Sequence, residues 1–222
     1  MDIEAIDLTL STARGDAVYR DIWEAIVDGR FMPGSRLKER DLSDLFEVSR
    51  IPVRQALQRL EAEGFVVTLP NRGARVADVS RADIDELFDA RLCVEPFAAR
   101  RAAMRVASGV ASLDKLADAL QRSVEPGTDD LPGVGTLEFH AEVVRLSGNS
   151  ILMRALGPML GRMEWVFRLT RATRETEHAE EHRQMFRAIA TGNAELAGAQ
   201  THAHIELARG PVTEALAAQL GW

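Results

Sequence analysis

The chain has 222 residues, 46% of them hydrophobic and 27% charged, with a net charge of −7 and a single cysteine. That length allows two domains of ordinary size, and no stretch approaches the roughly 18 uncharged apolar residues of a membrane span. The acidic start MDIEAIDLTLSTARGD lacks the basic opening of a signal peptide. Cys93 alone excludes an internal disulfide and fits a reducing cytoplasm, with its thiol expected as a small buried group on a helix.

Residues 1–15 read as a tail. Val18, Ile22, Ala25 and Ile26 then mark an amphipathic helix. Leu42, Leu45 and Phe46 give a second short helix an apolar face, and Glu47-Val48-Ser49 turns the chain. Ser49 is a good N-cap for a third helix, and Pro52 is tolerated in its first turn. Val53, Ala56, Leu57 and Leu60 form that helix's inward stripe, while Arg50 and Arg54, four residues apart, share the opposite face. Gly64 ends the helix, 65–69 has the β-branched and aromatic content of a strand, and Pro70-Asn71-Arg72-Gly73 is a turn cluster. Residues 74–77 return as the partner strand, which puts Arg72 at the hairpin tip. Helix, turn, helix and hairpin in this order predict a winged helix-turn-helix over 16–78, with Arg50 and Arg54 where such a motif reads base edges.

The negative net charge does not contradict DNA binding. Residues 36–75 carry eight basic and six acidic side chains, so the reading segment is +2 and the remainder −9. Local charge governs docking, and a weakly basic head gains from dimerisation.

Residues 79–222 read as a second, all-α domain, making the whole chain mainly α. Helices are expected near 81–106, 110–123, 134–146, 150–175, 178–191 and 194–208, with a short one near 212–219. Ser80 and Asn193 serve as caps. Three apolar stripes each contain a histidine. His140 lies with Leu137, Val143 and Val144, His182 with Met185, Phe186 and Ile189, and His204 among Leu196, Ala197, Ala203 and Leu207. One buried imidazole is ordinarily a hydrogen-bonded core residue, but three that converge point to a divalent metal. His178 and His182, at i and i+4, could alone form a two-histidine clamp. His202 and His204 point to different faces, and His178 and His202 read as surface residues.

Arg91 falls on the buried stripe of Ile84, Leu87, Phe88, Val94 and Ala98. A buried guanidinium requires an anion, either Glu95 one turn on or the carboxylate of a small organic acid. Asn149, Arg145 and Arg168 are candidates for the rim of such a pocket. Three histidines could also suggest a metal-dependent hydrolase. HExxH and phosphate-cradling glycine loops are missing from the sequence, however, and a DNA-reading half has no place in a small hydrolase. An effector-independent architectural DNA-binding protein is the other alternative, and the polar groups set in apolar stripes argue against it.

The segment PGSRLKERDLSDLFEVSRIPVRQALQRLEAEGFV with the wing NRGARV resembles the DNA-binding domain of GntR-family bacterial transcription regulators. That resemblance implies DNA contacts from Arg40, Arg50 and Arg54, with Arg72 and Gly73 at the wing tip. Lys38 departs from the family's small capping residue. LEFHAEVVRLSGNSIL, EHRQMFRAIATGNAELA and HIELAR resemble the FCD ligand-sensing domain of the FadR-like branch. The matching metal positions are Thr136, His140, His182 and His204, with Thr136 standing where the family has a carboxylate or amide. The mechanism expected from these readings is a homodimeric repressor on an inverted-repeat operator. Its effector would be a small organic acid held near Arg91 and Asn149, with zinc or nickel bound by the histidines.

Overall fold

The computed structural model describes residues 14–69, 73–124, 134–170 and 175–221. Packing divides the chain into two units, Met1–Val79 and Ser80–Trp222. The first contains α1 (Arg14–Val27), β1 (Arg36–Leu37), α2 (Glu39–Leu45), α3 (Arg50–Ala62), β2 (Val66–Leu69) and β3 (Gly73–Val76). Its core forms where the stripes of α1 and α3 meet. Val18, Ile22, Ala25 and Ile26 pack with Val53, Ala56, Leu57 and Leu60, and Phe65 and Val76 close the space beneath the sheet. β3 runs antiparallel to both neighbours, in the order β1-β3-β2, with Val67 and Arg36 both facing Arg75 in register.

Three sequence expectations change here. Leu45 is 60% exposed, and Ser43 takes an interior place beside Leu42. A helix of only seven residues presents less than two turns, so its stripe narrows to its middle. Ser49 occupies the cap position before α3 in extended backbone, yet its hydroxyl makes no capping bond. Lys38 likewise caps α2 without a side-chain bond. Strand β1 was not legible, because two residues cannot display a period of two. In the turn between α2 and α3, Glu47 adopts φ +53°, the one left-handed non-glycine among the described residues.

The second unit is helical: α4 (Arg81–Ala107), α5 (Asp114–Val124), α6 (Val134–Leu146), α7 (Ser150–Thr170), α8 (Glu175–Ala190) and α9 (Ala194–Leu220). Ser80 and Asp83 cap α4 reciprocally, and Asn193 accepts from the Leu196 amide at the start of α9. The interior gathers Ala99, Ala102 and Ala103 of α4, Leu116 of α5, Phe139 and Val143 of α6, and Met185 and Ile189 of α8. The small residues of α4 let its neighbours approach closely.

Two helices differ from expectation. α5 begins at Asp114 rather than near 110, after Ser112 accepts from the Asp114 amide. α9 does not stop at Gly210-Pro211 but runs on to Leu220. A helix-interior proline costs about 3 kcal/mol. Burial of Val212 and Leu216, which extend the stripe of Ile205 and Ala208, returns about 1.5–3 kcal/mol each and offsets it. The buried face of α9 also differs: Leu196 and Leu207 are 43% and 53% exposed, and Ala197, Thr201, His204, Ile205 and Ala208 turn inward. Cys93 is exposed, not buried, because it lies off the inward line of Arg91, Glu95 and Ala98. The expected end of α7 near 175 and the turn at 125–133 fall outside the described residues, apart from the stretch of α7 up to Thr170.

Candidate nucleic-acid interface and candidate metal centre

On the first unit, Arg50 and Arg54 both project to solvent from the start of α3, and Ile51 between them is 68% exposed. Arg40 on α2 is also exposed, with its Nε 4.0 Å from Asp44. Arg54 is held: its Nε and Nη2 donate to the two carboxylate oxygens of Glu39, each at 2.7 Å. Gly73 opens β3 at φ +78°, a conformation that suits glycine, with open space around it. Arg72 lies outside the described residues. Behind this surface Tyr19, Glu63, Arg59 and Asp16 tie α1 to α3, with the Tyr19 hydroxyl donating to Glu63 at 2.5 Å. Burial first, then the Glu63 carboxylate, pushes the Tyr19 hydroxyl well above its ordinary range.

On the second unit, α6, α8 and α9 each deliver one histidine to a common point. His140, His182 and His204 are at most 3% exposed, and one ligating atom from each lies within 4.8 Å of the others. Their ring centroids stand 4.8 to 5.2 Å apart. Phe139 stacks on His182 at 4.5 Å and floors the cluster. The side chain of His178 approaches His204 edge-on at 5.5 Å, so it belongs to the rim rather than to open surface. His202 is exposed, as expected.

The Nδ1 atoms of His182 and His204 are hydrogen-bonded, while that of His140 makes an ion-pair contact without hydrogen-bond geometry. Glu95 Oε2 lies 2.7 Å from His140 Nδ1 as a close ion-pair contact, Glu181 Oε2 meets His204 Nδ1 at 2.7 Å, and Ser123 Oγ meets His182 Nδ1 at 3.2 Å. A carboxylate only accepts, so His204 carries a proton on Nδ1. The Nε2 atoms of His140 and His204 lie 3.3 Å apart. Around a tetrahedral ion with metal–nitrogen bonds of about 2.0–2.1 Å, neighbouring nitrogens stand about 3.3–3.4 Å apart. The donor set therefore fits a divalent ion of the zinc or nickel kind. Burial, then the neighbouring imidazoles and Arg91, hold His182 and His204 well below the ordinary histidine range, so both stay neutral and able to ligate.

Arg91 is 1% exposed, donates to Glu95 Oε1 at 2.7 Å and brings Nη2 to 3.4 Å from His140 Nε2. Glu95 thus joins Arg91 on one oxygen and His140 on the other. Burial alone would raise its carboxyl, but the Arg91 charge and His140 outweigh that and hold it far below the carboxylate range. Thr136 lies half-buried one turn before His140. Asn149 caps α7, its Oδ1 accepting from the Ile151 and Leu152 amides. Arg145 and Arg168 pair with Glu142 and Glu164 on their own helices. Glu181 and Ser123 were missed by sequence reasoning, since their partners lie on other helices and no spacing within a helix announces them.

Residues 86–207 match the FCD domain family, and residues 14–76 match the bacterial regulatory proteins of the gntR family. The Nta operon transcriptional regulator of Aminobacter aminovorans is 31% identical over 85% of this chain and 93% of its own length. The gluconate operon transcriptional repressor of Bacillus licheniformis is 27% identical over 85% of this chain and 81% of its own. A crystal structure of a GntR transcriptional regulator from Rhodococcus sp. RHA1 superposes with a TM-score of 0.75 at 28% identity, covering 92% of this chain and 99% of that one. The chain belongs to the GntR family of bacterial transcription regulators, with an FCD domain following the winged helix-turn-helix. It is a regulator and not an enzyme, and among the described residues no helix is long and apolar enough to cross a membrane.

Proposed function

We propose that this regulator binds an inverted-repeat operator as a homodimer and represses transcription until a small carboxylate effector binds at a metal-loaded histidine cluster. Domains at 16–78 and 79–222 divide the two tasks. Arg50 and Arg54 read base edges in the major groove, Arg40 contacts the backbone, and Arg72 with Gly73 places the wing in the minor groove. His140, His182 and His204 hold the ion, and Thr136 stands beside it through a water or not at all. When bound, the metal supplies a Lewis-acidic position for an effector oxygen. Arg91, with Nη2 turned to the cluster, supplies the adjacent N–H donors. A coupling of about 1–3 kcal/mol between effector and DNA would release an operator. The repressor reading draws on relatives such as the gluconate operon repressor.

The observation that carries this reading is the convergence of the buried His140, His182 and His204, with the Nε2 atoms of His140 and His204 3.3 Å apart and a carboxylate oxygen 2.7 Å from the Nδ1 of each of these two. Purified protein, stripped with chelator and dialysed against zinc or nickel, is expected to take up about one ion per chain by mass spectrometry. The His182→Ala and His204→Ala variants are expected to take up none. Equal metal content in the wild type and the triple histidine variant would refute the site. A thermal-shift screen of small carboxylic acids on the loaded protein then finds the effector class.

A further inference from the structure

Glu39 grips Arg54 through both carboxylate oxygens, on a surface where an isolated ion pair contributes little to stability. The partners come from different helices, α2 and α3, so the contact is not a by-product of one helix's spacing. The grip uses Nε and Nη2 of the guanidinium. It leaves the outward end, Nη1 and the second Nη2 hydrogen, as the remaining donor pair. That end has the parallel-donor geometry that guanine O6 and N7 accept in the major groove. The carboxylate also cancels the charge that would otherwise draw Arg54 to whichever phosphate is nearest. Glu39 remains ionised throughout, since the Arg54 hydrogen bonds hold its carboxyl below the ordinary range, and Arg50 adds to the effect.

We infer that Glu39 is a positioning residue for sequence readout, which aims the free end of Arg54 at a guanine and withholds that arginine from the phosphate backbone. The inference rests on the assignment of α3 as the recognition helix. It assigns opposite consequences to the two members of the pair. Loss of Arg54 removes a reader. Loss of Glu39 leaves the reader in place but unaimed, so DNA binding as such is kept or strengthened while discrimination falls.

The test uses full-length protein and a duplex selected from a randomised pool by the wild type, with single-base variants of that duplex and an unrelated duplex as probes. Affinities are measured across a salt series for the wild type, Glu39→Gln and Arg54→Ala. Glu39→Gln is expected to lower the preference for guanine at one position of each half-site by about tenfold, the span of a lost bidentate base contact. It should also tighten binding to the unrelated duplex and steepen the salt dependence by up to one counterion per chain. A merely structural Glu39 would lower the melting temperature and weaken all duplexes alike, leaving the base preference and salt slope at wild-type values. That result overturns the inference. If Arg54→Ala itself leaves the base preference unchanged, or the pool yields no preferred sequence, the recognition-helix assignment fails first and the inference with it.

Discussion

Removing the Arg91 guanidinium should expose how much of the helical unit rests on one buried pair. Arg91 and Glu95 are each 1% exposed, 2.7 Å apart on adjacent turns of α4, and Glu95 also contacts His140. Arg91→Ala leaves a carboxylate in the interior with the His140 imidazole as its remaining neighbour. Breaking a buried pair from one side costs about 3–5 kcal/mol. For a unit of this size, that corresponds to a fall in Tm of roughly 10–15 °C. The double substitution Arg91→Met/Glu95→Met removes both charges together and should recover most of the loss, because the desolvation cost disappears with the pair. The assay is thermal and urea unfolding of chelator-treated protein, followed by helical circular dichroism at pH 7.5. Arg91→Lys separates packing from ligand recognition: it keeps the charge beside Glu95 but not the planar fork, so carboxylate-induced stabilisation should fall more than apo stability does. A loss under 1 kcal/mol for Arg91→Ala would show that Glu95 finds another cation or takes up a proton at little cost, and the energetic role assigned to the pair would be wrong.

Glu47 sits at φ +53° in the turn before α3, a conformation that costs an L-residue about 1–2 kcal/mol. Glu47→Gly relieves that strain at some cost in unfolded-state entropy, so a net gain of up to about 1 kcal/mol is expected as a higher denaturation midpoint of the DNA-binding unit; a lower midpoint counts against strain there. Acid should destabilise the metal-free protein from about pH 6.5 downward. His182 and His204 stay neutral when folded but take up protons near 6.5 when unfolded, so their stability is present above that pH and lost as pH falls, by up to about 1.4 kcal/mol per pH unit for each. The depressed Glu95 carboxyl adds a loss of the same sign below about pH 4.5, and a flat stability profile from pH 7 to 5 would contradict the neutral-histidine assignment. Thr136→Asp, one turn before His140, should tighten metal binding at least tenfold by competition with a chelating dye, and unchanged affinity would place position 136 out of reach of the ion.

Sequence alone determined those features whose physics is local. The stripes at i, i+3 and i+4 of α1, α3 and α6 pointed inward as read, and the caps at Ser80 and Asn193 formed, because side-chain periodicity and N-terminal amides act within one helix. Arg50 and Arg54 emerged on the solvent face for the same reason. Tertiary structure decided what needed a second element. A two-residue β1 exists only because β3 offers it a partner, and α9 crosses Pro211 because the core rewards Val212 and Leu216 beyond it. Leu45, Leu196 and Leu207 were assigned by hydrophobicity to faces that the packing turned outward. At the histidine cluster, the three imidazoles were legible because each interrupts an apolar stripe. The groups that hydrogen-bond to them from other helices were not. Glu181 reaches His204 from a neighbouring helix, and Ser123 meets His182 across another helix pair. Glu39 shows the same limit on the DNA-binding unit: its hold on Arg54 spans 15 residues and two helices, a relation that no spacing rule encodes and only the packing of α2 against α3 creates.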